Sequence, residues 1–171
     1  MIETERLHLR LVGEQDVDLV FDLFSDPSVA SWSGTGQPME SRDEATARVE
    51  RYATRGGGHP WAGVFAVRSR QSGEPLGLTL LVPLPPSRDV QRDDIEIGWH
   101  LLPSAWGHGF ASEAGRAMIA RGFEAGLDEL YAVTDPDNVR SQAVCERLGM
   151  TDLGLRDDWY DRTLRGFVIR R

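Results

Sequence analysis

The stretch from residue 94 to residue 134 restricts the fold more than any other part of the chain. Asp94 to Leu101 alternates, with Ile95, Ile97 and Trp99 on one face and Glu96, Gly98 and His100 on the other, the period-two pattern of a strand. A glycine-rich loop follows, Trp106-Gly107-His108-Gly109-Phe110-Ala111-Ser112, and opens a helical pattern that runs from Phe110 to Ala125. Ala114, Ala117, Met118, Ile119 and Phe123 cover much of that helix, so it is expected to be well buried. Gly126 suits its C-terminal cap, and Leu130 to Thr134 reads as a short strand. Strand, tight loop, buried helix and strand predict a parallel pair with a right-handed crossover.

The flanking segments complete a mixed sheet. Leu7, Leu9 and Leu11 alternate with His8, Arg10 and Val12, a half-buried strand. Val17, Val20, Phe21 and Phe24 recur at helical spacing until Asp26-Pro27 stops the helix. Ser41-Arg42-Asp43-Glu44 reads as a capping box for a second helix that runs to about Thr54 and ends at Gly56-Gly57-Gly58. Trp61 to Arg68 and Gly77 to Val82 are strand-like and joined by a polar turn, so they pair antiparallel. Asp135-Pro136-Asp137-Asn138 leads into a last helix closed by Gly149. Two final strands, near Asp152 to Arg156 and Thr163 to Ile169, flank a charged aromatic loop, Asp157-Asp158-Trp159-Tyr160-Asp161. The order is β-α-α-β-β-β-α-β-α-β-β. At 171 residues, with no repeat and no linker, the chain is one domain, residues 1–171, able to bury roughly 70% of its unfolded surface.

Composition narrows the partners. Lys plus Arg is 19 and Asp plus Glu is 27, a net charge of -8, which gives no general affinity for nucleic acid or anionic lipid. The single cysteine, Cys145, has no internal partner, and with four histidines it falls short of a structural zinc site, so no metal is expected. The acidic start is unlike a signal peptide, and the longest apolar stretch, Leu78 to Leu84, is too short to span a bilayer. A cytoplasmic protein is the expectation.

The glycine loop follows a strand and opens a helix, where backbone amides and the positive helix end suit a pyrophosphate. A glycine-rich turn that serves connectivity alone is the competing reading. The dinucleotide fingerprint fails at its third small position, where Ser112 stands. No Gly-Lys-Ser/Thr triplet follows to make a P-loop, and the Gly-x-Ser-x-Gly elbow of hydrolases is absent.

Glu96-Ile97-Gly98-Trp99-His100-Leu101, the loop Trp106 to Ala114, Asn138-Val139-Arg140-Ser141 and Glu146-Arg147-Leu148-Gly149-Met150 together resemble the GNAT superfamily of acetyl-CoA-dependent N-acetyltransferases. The opening Thr4-Glu5-Arg6-Leu7-His8-Leu9-Arg10 is similar to the start of its Rim-type branch, which includes acetyltransferases of ribosomal-protein N-termini. The superfamily pattern is matched at Gly109 and Ala111, with Trp106 at its first position, as the Rim-type branch commonly has. The resemblance implies the GNAT fold, an α/β (α+β type) architecture with a mixed, mostly antiparallel sheet of about seven strands, a central splay and about four flanking helices.

It also implies roles for particular residues. Amides of Trp106, Gly107, His108, Gly109, Phe110, Ala111 and Ser112 would cradle the pyrophosphate of coenzyme A, and the pantetheine arm would lie beside the strand that carries Glu96. A backbone amide near His100 or Leu101 would polarise the acetyl oxygen. Glu96 corresponds to the branch's proposed general base, useful because an alkylamine is mostly protonated at neutral pH; a structural ion pair is its alternative. His100 shares its face and is a weaker candidate. Asn138 corresponds to a residue that contacts the cofactor arm, and Asn is also a good N-cap. Ser141 corresponds to the serine placed near the thioester sulfur. Cys145 stands where many relatives carry a tyrosine acid, and a helical cysteine is otherwise core packing.

Trp32 and the Trp159-Tyr160 pair lie in loops that overhang the acceptor side of this fold. With Asp157, Asp158 and Asp161 nearby, aromatic and acidic character suits a cationic amine; exposed loop aromatics equally mark a homodimer contact. The expectation is an acyltransferase that moves acetyl from acetyl-CoA to a protein N-terminus or a small amine. The alternative is a non-catalytic acyl-CoA-binding or sensing protein on the same fold.

Overall fold

The computed structural model describes residues 1–171. One eight-stranded sheet forms the middle layer, in the order β1-β2-β3-β4-β5-β6-β8-β7. The strands are β1 (Ile2–Glu3), β2 (Leu7–Leu11), β3 (Gly63–Ser69), β4 (Pro75–Pro83), β5 (Ile95–Leu101), β6 (Glu129–Thr134), β7 (Thr151–Trp159) and β8 (Arg162–Arg170). The helices are α1 (Val17–Ser25), α2 (Pro27–Ala30), α3 (Arg42–Thr54), α4 (Phe110–Glu124) and α5 (Val139–Arg147). The additional strand is the two-residue β1, and the additional helix is the single turn α2, where Asp26 caps the amide of Ser28 and Pro27 starts the helix instead of only ending the previous one.

Neighbouring strands are antiparallel except β5 and β6, which are parallel, as the crossover requires. The β5–β6 register consists of the one pair Glu96↔Tyr131. Beyond it the two strands diverge, and the sheet is split in its middle.

Each face carries its own core. On one, α1 and α3 bury Leu19, Val20, Leu23, Phe24, Val49 and Tyr52 against Val64, Ala66, Leu78, Leu80 and Val82. On the other, α4 and α5 bury Ala114, Met118, Val144, Cys145 and Leu148 against Leu7, Leu9, Phe65, Val67, Leu81 and Ile97. The strand alternation assigns the faces. The helices approach closely: a Cβ on Gly115 of α4 would lie 2.8 Å from Leu148 Cδ1. Ser41 caps α3 by accepting from the Glu44 amide at 3.3 Å, while the Glu44 carboxylate accepts from the Glu40 amide and the Ser41 hydroxyl rather than from the Ser41 amide of a standard capping box.

The C-terminal hairpin differs from the expected long loop. β7 extends through Trp159, and only Tyr160 and Asp161 turn the chain, at φ 60° and 51°. Positive φ at both central residues is the type I′ geometry that matches strand twist. It is normally filled by Asn-Gly, so a bulky Tyr160 there is conformationally costly.

Candidate active site

The divergence of β5 and β6 opens a cavity of about 380 Å³. Its walls hold Glu96, Gly98, Trp99 and His100 from β5, Ala132 to Thr134 from β6, Asn138 and Ser141 from α5, and Arg48, Tyr52 and Arg55 from α3. Trp32, Asp135, Tyr160 and Arg162 also line it.

Glu96 is buried and held by two groups that come from far along the chain. Tyr160 Oη donates to Glu96 Oε2 at 2.6 Å, and Arg55 Nη2 donates to Tyr160 Oη at 2.7 Å and lies 3.6 Å from the carboxylate. Burial raises the Glu96 pKa; the Tyr160 hydrogen bond and the Arg55 charge oppose that rise without cancelling it. Burial, with Glu96 beside it, pushes the Tyr160 hydroxyl well above its ordinary range, so it stays protonated as a donor. His100 is pushed down to about 3 by burial and by the charges of Arg48 and Arg55, so it is a neutral imidazole, packed edge-on to Phe24.

The backbone of β5 divides its amides between the two neighbouring strands. Leu84 N donates to Asp94 O and Leu102 N to Leu76 O, so even-numbered residues turn their polar groups toward β4. By alternation the amides of Trp99 and Leu101 face the split. Trp106 Nε1 takes the Leu101 carbonyl at 2.8 Å, which fixes the orientation of that peptide.

The glycine loop lies at the end of β5. Gly107 and Gly109 have φ 79° and 80°, a region L side chains avoid. Gly109 is the N-cap of α4, and Glu113 N to Gly109 O, at 3.0 Å, is the first intrahelical bond. The amides of Phe110, Ala111 and Ser112 precede it and point outward from the helix end. His108 is exposed and stacks on Phe110. The Ser112 side chain turns inward and accepts from Arg147 Nε at 3.3 Å. A clamp that the sequence pattern did not reveal holds this loop. Glu113, buried, accepts from Thr4 Oγ1 at 2.5 Å, Arg6 N at 2.8 Å and Arg6 Nε at 2.7 Å, and Arg6 Nη1 donates to His108 O at 2.9 Å. Desolvation opposes its charge, but these donors outweigh that and hold the Glu113 carboxyl below its usual range.

On α5, Asn138 Oδ1 caps the helix by accepting from Ser141 N at 3.1 Å, which leaves its amide nitrogen for another partner. Ser141 faces the cavity. Cys145 does not: it is fully buried in the α4–α5 core, and burial pushes its thiol up to about 12. Buried in the core and out of the cavity, Cys145 fits the core-packing reading rather than that of the acid. One more cavity residue carries a signal absent from the sequence: Thr134 Oγ1 is buried with no hydrogen-bond partner.

The acceptor side departs from expectation. Trp32 lines the cavity and is 42% exposed. Trp159 is buried at 1% exposure, packs with Leu84, Tyr131 and Val168, and donates from Nε1 to Asp94 Oδ2 at 2.8 Å. It is a core residue, neither a substrate contact nor a dimer contact, because β7 runs further than its charged end suggested. The acids are also occupied elsewhere: Asp158 pairs with Arg156, Asp157 accepts from Thr163, and Asp161 accepts from the Arg88 amide. Arginines, not these acids, stand around the cavity.

Residues 6–151 match the family described as the acetyltransferase (GNAT) domain. The chain is 30% identical to the uncharacterised N-acetyltransferase YoaA of Bacillus subtilis over 91% of this chain and 85% of that one. It is also 30% identical to the FsC-acetyl coenzyme A-N(2)-transacetylase of Aspergillus fumigatus, over 94% of this chain and 68% of that one. Its fold superposes on RimL, a ribosomal L7/L12 α-N-protein acetyltransferase solved with coenzyme A, with a TM-score of 0.78 at 18% identity, covering 98% and 95% of the two chains.

Proposed function

The chain belongs to the GNAT acetyltransferase family and is an N-acetyltransferase, and we propose that acetyl passes by direct attack of a primary amine on the thioester, with Glu96 as the base. The carrying observation is the split between β5 and β6, which puts a buried carboxylate of raised pKa and the Ser141 hydroxyl on the walls of one cavity.

The residues present fit acetyl-CoA. A side chain built at Gly107 would meet nothing within 4 Å, and one at Gly109 only the tip of Arg6. Backbone approach is therefore open there, beside the free amides of α4. The unpartnered Thr134 hydroxyl is a polar group that the amides of a pantetheine arm would satisfy. Bound acetyl-CoA supplies an activated acyl group and a thiolate leaving group.

The roles of the chain's residues follow. Glu96 takes the proton of the incoming ammonium or of its neutral amine as the bond forms. Tyr160 and Arg55 hold the carboxylate and keep part of it ionised. The Leu101 amide, aimed into the split, donates to the oxygen where negative charge develops. Ser141 offers its hydroxyl to the departing sulfur. The acceptor is a peptide N-terminus, as for RimL, or a small amine; the Aspergillus relative is named for transfer to an N(2) position.

Thiol release from acetyl-CoA, measured over a panel of amines and N-terminal peptides, tests this reading. Amine-dependent release that collapses in Glu96→Gln is expected. Binding of coenzyme A with no amine-dependent release would overturn it.

A further inference from the structure

The cavity walls carry more positive than negative charge. Arg48, Arg55 and Arg162 face it, against the carboxylates of Glu96 and Asp135. Arg55 lies 3.6 Å from Glu96 and Arg162 3.5 Å from Asp135. Arg48 has no carboxylate partner. Its Nε donates to the Tyr52 hydroxyl at 2.7 Å and its Nη2 to Ser33 Oγ at 2.9 Å, and its Cζ lies 3.6 Å from the centre of the Phe24 ring. Nη1 and one hydrogen of Nη2 are left over from the five donors of the guanidinium.

These contacts fix the guanidinium: two hydroxyls and an aromatic face set its plane, and α3 sets its place. Arg48, Tyr52 and Arg55 follow one another at helical spacing, so one stripe of α3 and its C-cap carries both Arg48 and the Arg55 beside the carboxylate. The neighbouring imidazole, His100, is neutral and supplies no counter-charge. The pyrophosphate loop lies outside this cavity, so the leftover donors do not serve the phosphates. In a chain with a net charge of -8, this held arginine has no ion-pair partner and keeps donors free toward the cavity.

We propose that the acceptor carries a carboxylate as well as its amine, and that Arg48 binds that carboxylate while the amine meets Glu96. This rests on the acetyl-transfer reading and names its substrate class. A fork of N–H donors matches a carboxylate in two-point contact. The same positive surplus disfavours an ammonium and favours the neutral amine that attacks. The carboxylate belongs either to a free amino acid or to an acidic side chain near a peptide N-terminus.

Matched acceptors test the proposal. Glycine, β-alanine, 4-aminobutyrate and 6-aminohexanoate would each be compared with its primary amide, and Ala-Asp-amide with Ala-Asn-amide. The free amino acids and the peptides separate the two sources. Wild-type enzyme is expected to favour the carboxylate member of at least one pair by roughly ten- to hundredfold in kcat/KM. Arg48→Met should erase that ratio, and Arg48→Lys should restore part of it. Each ratio is taken within one variant, so lost stability cancels. An arm that needs no turnover uses tryptophan fluorescence, because Trp32 and Trp99 line the cavity. With coenzyme A bound, propionate should shift the emission of wild type but not of Arg48→Met, and propionamide should shift neither. Equal use of acids and amides, or no response to propionate while coenzyme A binds, overturns the proposal. Failure to bind coenzyme A would instead overturn the acetyl-transfer reading.

Discussion

The glycine loop and the Glu96 centre are the two regions proposed to bind cofactor and to carry out transfer, and they are built in opposite ways. The loop is exposed, continuous in sequence and offers backbone amides. The Glu96 centre is buried and draws its side chains from α3, β5 and the turn after β7. Backbone chemistry needs only a conformation, which two glycines at positive φ supply. Side-chain chemistry needs groups brought from far along the chain. The loop should therefore respond to changes of backbone freedom, and the centre to loss of single polar atoms.

Gly109→Val should give the largest effect, because a β-branched residue at φ 80° costs about 1–3 kcal/mol of strain and stands in the path of a phosphate. Losing two charge-assisted hydrogen bonds at about 2 kcal/mol each would weaken coenzyme A binding roughly a thousandfold. Calorimetry would detect this, and unchanged affinity would remove the loop from the site. Glu96→Gln should leave that affinity alone and lower turnover about a hundredfold. The wild-type rate should rise with pH as the Glu96 carboxyl, its pKa raised by burial, loses its proton, and the variant should lack that limb.

Tyr160→Phe sharpens the contrast. It removes a bond that favours ionised Glu96, so the acidic limb of the rate profile should move to higher pH with coenzyme A affinity unchanged. A profile that stays in place would make Tyr160 a packing residue. Ser141→Ala should slow acetyl transfer at saturating cofactor. Cys145→Ala should keep turnover and cost about 1 kcal/mol in melting experiments, as a buried atom of its size does. The reverse result would exchange the two roles.

The smallest effect belongs to the loop's clamp. The Glu113 pKa is depressed in the folded state, so its contribution is complete above the unfolded value and is lost as pH falls below about 4.5. Glu113→Gln should flatten the acid dependence of thermal stability over that window and modestly weaken coenzyme A binding. Equal acid sensitivity in variant and wild type would show the clamp to be idle.

The two regions also differed in how much could be read in advance. The sequence determined seven of the eight strands, four of the five helices, the parallel crossover, the glycine loop, the Asn138 cap and the candidacy of Glu96 and Ser141, because each rests on a local period, a turn residue or a contiguous motif. Trp159 was misplaced and the two readings of Cys145 stayed open for one reason: which way a side chain faces depends on where its strand or helix ends and on what packs against it. A type I′ turn at Tyr160-Asp161 carries no glycine to announce it, so the reach of β7 could not be read from composition. Arg48 and Arg55 belong to no local pattern, and Arg6 and Glu113 stand in two separate motifs whose pairing neither motif shows. Only the tertiary structure decided that Arg55 and Tyr160 meet on Glu96, and that Arg48 faces the cavity without an acid. Contacts between residues so distant in the chain form only after the sheet has closed around its split, and packing of the whole sheet selects them.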